Sequence, residues 1–143
     1  PSVTAAPSNP GLKATWHEFK GNKCSEIEKA PVNGTYPVED VMIPKKVKGN
    51  IGLIIKGYFN APQDDIYTFA LLSDDGSTLT IDSEQIVDND GPHGPKEIVG
   101  QKALAKGYHP MELRYFDQNG GQLKLKVTGS DGKEIPFTHL YAH

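Results

Sequence analysis

The chain of 143 residues holds a single cysteine, and that scarcity already excludes two kinds of cross-link. Cys24 has no second cysteine to pair with, so an internal disulfide and a cysteine-ligated zinc site are both ruled out. A small buried thiol is the reading it invites, ahead of a reactive one. No apolar run approaches the roughly 18 residues that read as a membrane helix. The longest stretch, residues 51–59, is interrupted by Gly52, Lys56 and Gly57. Basic excess is missing as well: the formal net charge is −3, which argues against nucleic acid as the main partner. Lys and Arg are absent from residues 64–90, where eight acidic residues lie, so cations should be drawn to that segment. Catalytic signatures are lacking too. There is no Gly-x-Ser-x-Gly elbow, no His-Glu-x-x-His pair and no phosphate-cradling glycine loop. His17, His93, His109, His139 and His143 are dispersed, and none pair at helical ligand spacing. His93, between two Gly-Pro edges, reads as a loop anchor rather than a base. The chain is expected not to be an enzyme.

What is present is a period of two. Leu12, Ala14 and Trp16 alternate with Lys13, Thr15 and His17, and Leu53, Ile55 and Phe59 share a face. The same pattern runs through Tyr67, Phe69 and Leu71, through Leu79 and Ile81, through Met111, Leu113 and Tyr115, and through Leu123, Leu125 and Val127. Such alternation marks half-buried antiparallel strands. Turn residues separate them at Asn60-Ala61-Pro62, Asp74-Asp75-Gly76, Asp90-Gly91-Pro92, Asn119-Gly120-Gly121 and Ser130-Asp131-Gly132. An all-β fold follows, an antiparallel β-sandwich or a closed barrel. Residues 24–29 are the one candidate helical turn. Residues 1–9 have linker composition and residues 10–143 form the domain, read as a module of a longer protein.

The acidic segment centres on Ser73-Asp74-Asp75-Gly76. Adjacent side chains on an extended backbone point to opposite sides, so convergence on one ion requires a departure such as a cis peptide. Hard carboxylate oxygens at a loop tip suit Ca²⁺, which can in turn chelate sugar hydroxyls. The competing reading needs less. Aspartates cap their own turn and Gly76 supplies a positive φ. From residue types alone this second reading is the stronger. Asp88 and Asp90 in the next acidic loop do not match the spacing of a helix-loop-helix calcium site, and a hydrogen-bonded turn fits them better.

Residues 67–82, from Tyr67-Thr68-Phe69 through Leu71-Leu72-Ser73-Asp74-Asp75-Gly76-Ser77 to Thr80-Ile81-Asp82, carry a resemblance to a known family. Val87-Asp88-Asn89-Asp90-Gly91-Pro92, Lys106-Gly107-Tyr108-His109-Pro110-Met111-Glu112-Leu113-Arg114-Tyr115-Phe116 and the two ends of the domain continue it. The series resembles the protective-antigen fourteen-kilodalton (PA-fourteen) domain, over about residues 11–141. That resemblance implies a lectin-type β-sandwich or barrel, of the kind attached to bacterial secreted glycoside hydrolases and adhesins. It implies Ca²⁺ held by Asp74 and Asp75 across a cis peptide. The family's later Asn ligand corresponds to Asp117 here, a departure that keeps an oxygen donor. Asn119 and the backbone of Gly120-Gly121 are further ligand candidates, and Tyr108 or Phe116 could stack on a sugar. The function it implies is a non-catalytic carbohydrate-binding module, monomeric, extracellular, periplasmic or on the cell surface, joined to a parent catalytic domain. The alternative is a structural or protein-interaction spacer without a glycan site.

Overall fold

Alternating burial converts the period-two pattern into strands. The computed structural model describes residues 9–10, 12–38, 41, 43, 50–118, 121–135 and 140–142. Among these residues eleven strands form: β1 (Asn9–Pro10), β2 (Leu12–Glu18), β3 (Val32–Val38), β4 (Ile51–Ala61), β5 (Asp65–Asp74), β6 (Ser77–Ile81), β7 (Glu84–Asn89), β8 (Lys96–Leu104), β9 (Gly107–Asp117), β10 (Gln122–Thr128) and β11 (Leu140–Ala142). One sheet runs β1-β11-β4-β9-β6-β7, with β2 also paired to β4 and β3 to β2. A second, three-stranded sheet runs β10-β5-β8. The expected architecture takes its sandwich form, two antiparallel sheets face to face. Segment 1–8 of the expected linker and Asn119 lie outside the described residues.

The inward positions make the core. Leu53, Ile55, Phe59, Leu113 and Tyr115 of the large sheet meet Tyr67, Phe69, Leu71, Leu125 and Val127 of the small one. Phe59 packs edge-on against Tyr67 and Phe69, with ring centroids 5.3 and 5.7 Å away. Such geometry suits the aromatic quadrupole.

Strand β4 is buried on both faces at its start. Its outer side there is covered by the 3₁₀ turn Cys24–Lys29, which lies where a helical turn was expected. Phe19, Cys24, Ile27, Ile54 and Phe116 form a small second cluster beneath that turn. Gly52 makes the fit possible, because a Cβ there would stand 2.8 Å from Ile27 Cγ2. His17 keeps the outward face that the alternation gives it, opposite Gly52 in an unbroken β2–β4 register, yet it is buried there. The chain that covers this face takes up its ring, which donates from Nδ1 to the Ala30 carbonyl at 3.0 Å. Cys24 is buried as expected. Burial, then the charge of Asp90, pushes its thiol far above the usual value, leaving it unreactive at neutral pH.

Consecutive strands repeatedly change sheets. β5 passes to β6, β7 to β8 and β9 to β10 at one end of the sandwich. That end holds the acidic turn.

Candidate functional site

Asp74 closes β5, and the peptide joining it to Asp75 is cis. The turn is laced to β9: Asp75 N–H donates to the Phe116 carbonyl at 3.2 Å, and Phe116 N–H donates to that of Gly76 at 3.0 Å. The expected positive φ at Gly76 is not found. Glycine is needed there for space, since an added Cβ would lie against the Phe116 ring and 2.8 Å from both N and O of Gly91. Below the turn, the buried hydroxyls of Ser73 and Ser77 meet at 2.5 Å. Asn89 then spans the layers, donating from Nδ2 to the Leu71 and Lys96 carbonyls at 3.2 and 2.8 Å.

The Asp75 carboxylate joins the three crossings. Oδ1 accepts from His93 N–H at 3.2 Å, in the β7–β8 connection. Oδ2 accepts from Gln118 N–H at 3.1 Å, at the start of the β9–β10 connection. One side chain thus ties together all three places where the chain changes sheets at this end. The ring of His93 is a loop anchor, with Nδ1 2.6 Å from the Gly94 carbonyl and Nε2 2.8 Å from that of Asn89.

Tyr115 sits at the centre. Its hydroxyl donates to the Asp74 carbonyl at 2.7 Å. Burial first, then the charges of Asp117, Asp74 and Asp75, push its ionisation well above the ordinary phenol range. The structure therefore brings three of the four residues singled out in the sequence, Asp74, Asp75 and Asp117, to bear on one buried phenol. Asp117 is itself buried. Gly121 closes the group, because a Cβ there would collide with the Asp74 carbonyl and the Tyr115 hydroxyl and lie 3.0 Å from Asp117 Cγ.

The second acidic loop is a hydrogen-bonded turn. Asp90 accepts from the N–H groups of Cys24 (3.0 Å) and Gly91 (2.9 Å), and Asp88 accepts from Asp90 N–H at 3.2 Å. Phe116 is not available as a sugar platform. It is fully buried, edge-on to Phe19 at 5.9 Å. Among the described residues no three His, Cys, Asp or Glu side chains form a metal-holding group by themselves. Any ion here would also need main-chain oxygens. Sequence reasoning missed Tyr115, which reads only as an inward strand residue, and Gln118, whose contribution is a backbone N–H that no side-chain pattern announces.

A family profile described as the PA14 domain matches residues 8–137. No curated protein matches the chain by sequence. Among solved structures, the chain is similar to a PA14 sugar-binding domain from an RTX adhesin (TM-score 0.78, 17% identity, covering 95% of this chain and 100% of that one). It is similar to the PA14 domain of the MpAFP antifreeze protein (0.79, 13%, 99% and 95%). It also resembles the epithelial adhesin 6 A domain of Candida glabrata, solved in complex with Galb1-3GlcNAc (0.70, 13%, 96% and 88%). At these identities the likeness is one of fold.

Proposed function

The chain belongs to the PA14 domain family, and on that premise we propose that it is a non-catalytic carbohydrate-binding module whose acidic turn is the sugar site. The observation that carries this reading is the gathering of Asp74, Asp75 and Asp117 at one end of the sandwich, where the Asp74 carbonyl, the Tyr115 hydroxyl and the Asp117 carboxyl carbon all crowd Gly121. The donors are all hard oxygens, which fits Ca²⁺. Each Asp75 oxygen spends one lone pair on a backbone N–H and keeps a second. Asp74, Asp75 and Asp117 would hold the ion, with Asn119 and main-chain carbonyls of the following loop completing its shell. Ca²⁺ held there would supply Lewis-acidic coordination for sugar hydroxyls. The sugar-binding RTX adhesin domain and the glycan-bound yeast adhesin of the same fold support the ligand class. Attachment to a carbohydrate-active enzyme or adhesin, and a place outside the cytoplasm, belong to the same proposal.

A second reading has its own observation. Both Asp75 oxygens already staple neighbouring loops, which is what a spacer domain without a glycan site would need. Calcium separates the two. A thermal melt at a hundredfold excess over Kd should show about 2.7 kcal/mol of added stability. Sugar titrations should give millimolar to micromolar affinity, lost with chelator and in Asp75→Asn, since a small polar ligand offers few contacts. An unchanged melt together with no sugar binding at this loop, with or without chelator, would establish the spacer reading.

A further inference from the structure

The outer face of the large sheet carries a second feature that the acidic turn does not use. Tyr58 and Pro110 are direct cross-strand neighbours on β4 and β9. They help to line a cleft of about 340 Å³ together with Lys56, Glu112, Thr80 and Ser83, a volume at the small end of the roughly 300–1,000 Å³ typical of ligand sites. It lies away from the acidic turn. Tyr58 is seven residues along β4 from Ile51, the partner of Asp117, so the two places are roughly 23 Å apart at about 3.3 Å per residue.

The cleft is built from departures. Pro110 stands one residue beyond the β6–β9 ladder, which ends at Ile81 and Met111, where its missing N–H costs no ladder bond. Here its exposed ring extends the half-buried face of Tyr58. The β6–β7 hairpin turns through Asp82 and Ser83 at φ 52° and 65°, a left-handed pair normally filled by Asn-Gly. That strained turn is held from beneath. Asp82 N–H donates to the Pro110 carbonyl at 3.0 Å, and the buried His109 ring sets Nδ1 2.8 Å from Asp82 Oδ2 while Nε2 donates to the Ala105 carbonyl at 2.7 Å. Ser83 is thereby fixed at the rim. Glu112 is fixed too, with Oε2 accepting from Arg114 Nε at 3.1 Å and Oε1 3.5 Å from Lys56 Nζ. A flat apolar floor beside a held carboxylate and neighbouring ammonium and hydroxyl groups suits a ring with one apolar C–H face and a polar edge. Strain maintained at such a place points to a site.

We propose that this cleft is a second, calcium-independent subsite for the pyranose ring of a neutral glycan, its C–H face on Tyr58 and Pro110 and its hydroxyls on Glu112, Lys56, Thr80 and Ser83. The choice of ligand class rests on the carbohydrate reading above, whereas the cleft and its supports do not. The test is ¹⁵N amide mapping with methyl β-glucopyranoside, methyl β-galactopyranoside and N-acetylglucosamine at millimolar concentration, in calcium and then in EDTA. At least one probe should give saturable shifts at Thr80, Ser83 and Glu112 that persist in EDTA and in Asp75→Asn. Tyr58→Ala should weaken them about fivefold or more, the equivalent of about 1 kcal/mol. Lys56→Ala changes only an exposed side chain, so it should weaken them with the fold intact even if Tyr58→Ala unfolds. Shifts confined to the acidic turn would overturn this inference and leave the first site standing. Shifts confined to the cleft would do the reverse. No shift at the cleft with any probe, or shifts there unchanged in Lys56→Ala and in a folded Tyr58→Ala, would overturn it as well.

Discussion

Tyr115 places a polar tip where the core ends and the acidic turn begins, and its hydroxyl lies under the charges of Asp117, Asp74 and Asp75. Inside a low-dielectric layer a phenolate facing three carboxylates is strongly disfavoured, so the folded state resists its ionisation. The sign of the consequence is set. A folded pKa above the unfolded one contributes stability that is intact below about pH 10 and declines as the pH rises beyond that unfolded value. Alkaline denaturation should therefore begin above about pH 10. Tyr115→Phe should flatten the fall there, while costing about 0.5–1.5 kcal/mol at neutral pH for the lost bond to the Asp74 carbonyl. Urea melts across pH 7–11 measure both effects, and identical alkaline slopes in the two proteins would contradict the account.

At the scale of elements, what was legible was the alternation. Strands β5 and β10 bury one face each, so Tyr67, Phe69 and Leu71, or Leu125 and Val127, announce themselves. Where both faces are covered the pattern loses meaning, as at the start of β4, whose outer side is capped by Ile27 and Phe19. His17 follows the alternation, but its outward face is covered beside Gly52, so it is buried where the pattern alone would expose it. At the candidate site the acidic residues were visible in the sequence. The space around them was not, because close approach of main chains leaves no mark beyond a glycine. Gly76 reads as a positive-φ turn residue and proves to be a gap for Phe116 and Gly91. Gly121 is the sharper case. Its missing Cβ lets β10 begin against the Asp74 carbonyl and the Tyr115 hydroxyl. Gly121→Ala must push those groups apart, so it should cost about 1–3 kcal/mol, as overpacking does. It should also abolish any calcium-dependent shift in the melt, whereas Gly94→Ala, with open space around its position, should do neither.

For the whole molecule, the decisive geometry is the clustering of three sheet-to-sheet crossings at one end. Each crossing leaves backbone N–H groups that no ladder satisfies, and Asp75 accepts one from each of the two crossings that flank its own. The Asp75 carboxylate therefore closes the sandwich end together with the Asn89 bridge between the sheets and the core beneath it. If so, its loss should loosen both flanking loops together. Asp75→Ala should speed amide exchange at His93 and Gln118 in parallel and lower stability by about 1–3 kcal/mol, a fall of several degrees in Tm at about 2–4 °C per kcal/mol for a domain near this size. Asp74→Ala offers the contrast. Tyr115 bonds to the Asp74 main-chain carbonyl rather than to its side chain, so this variant should leave both amides protected while still weakening any calcium response. A carboxylate acting only as a metal ligand would show the opposite ordering. The two amides would then exchange alike in wild type and Asp75→Ala without calcium, and protection would differ between them only when the ion is added.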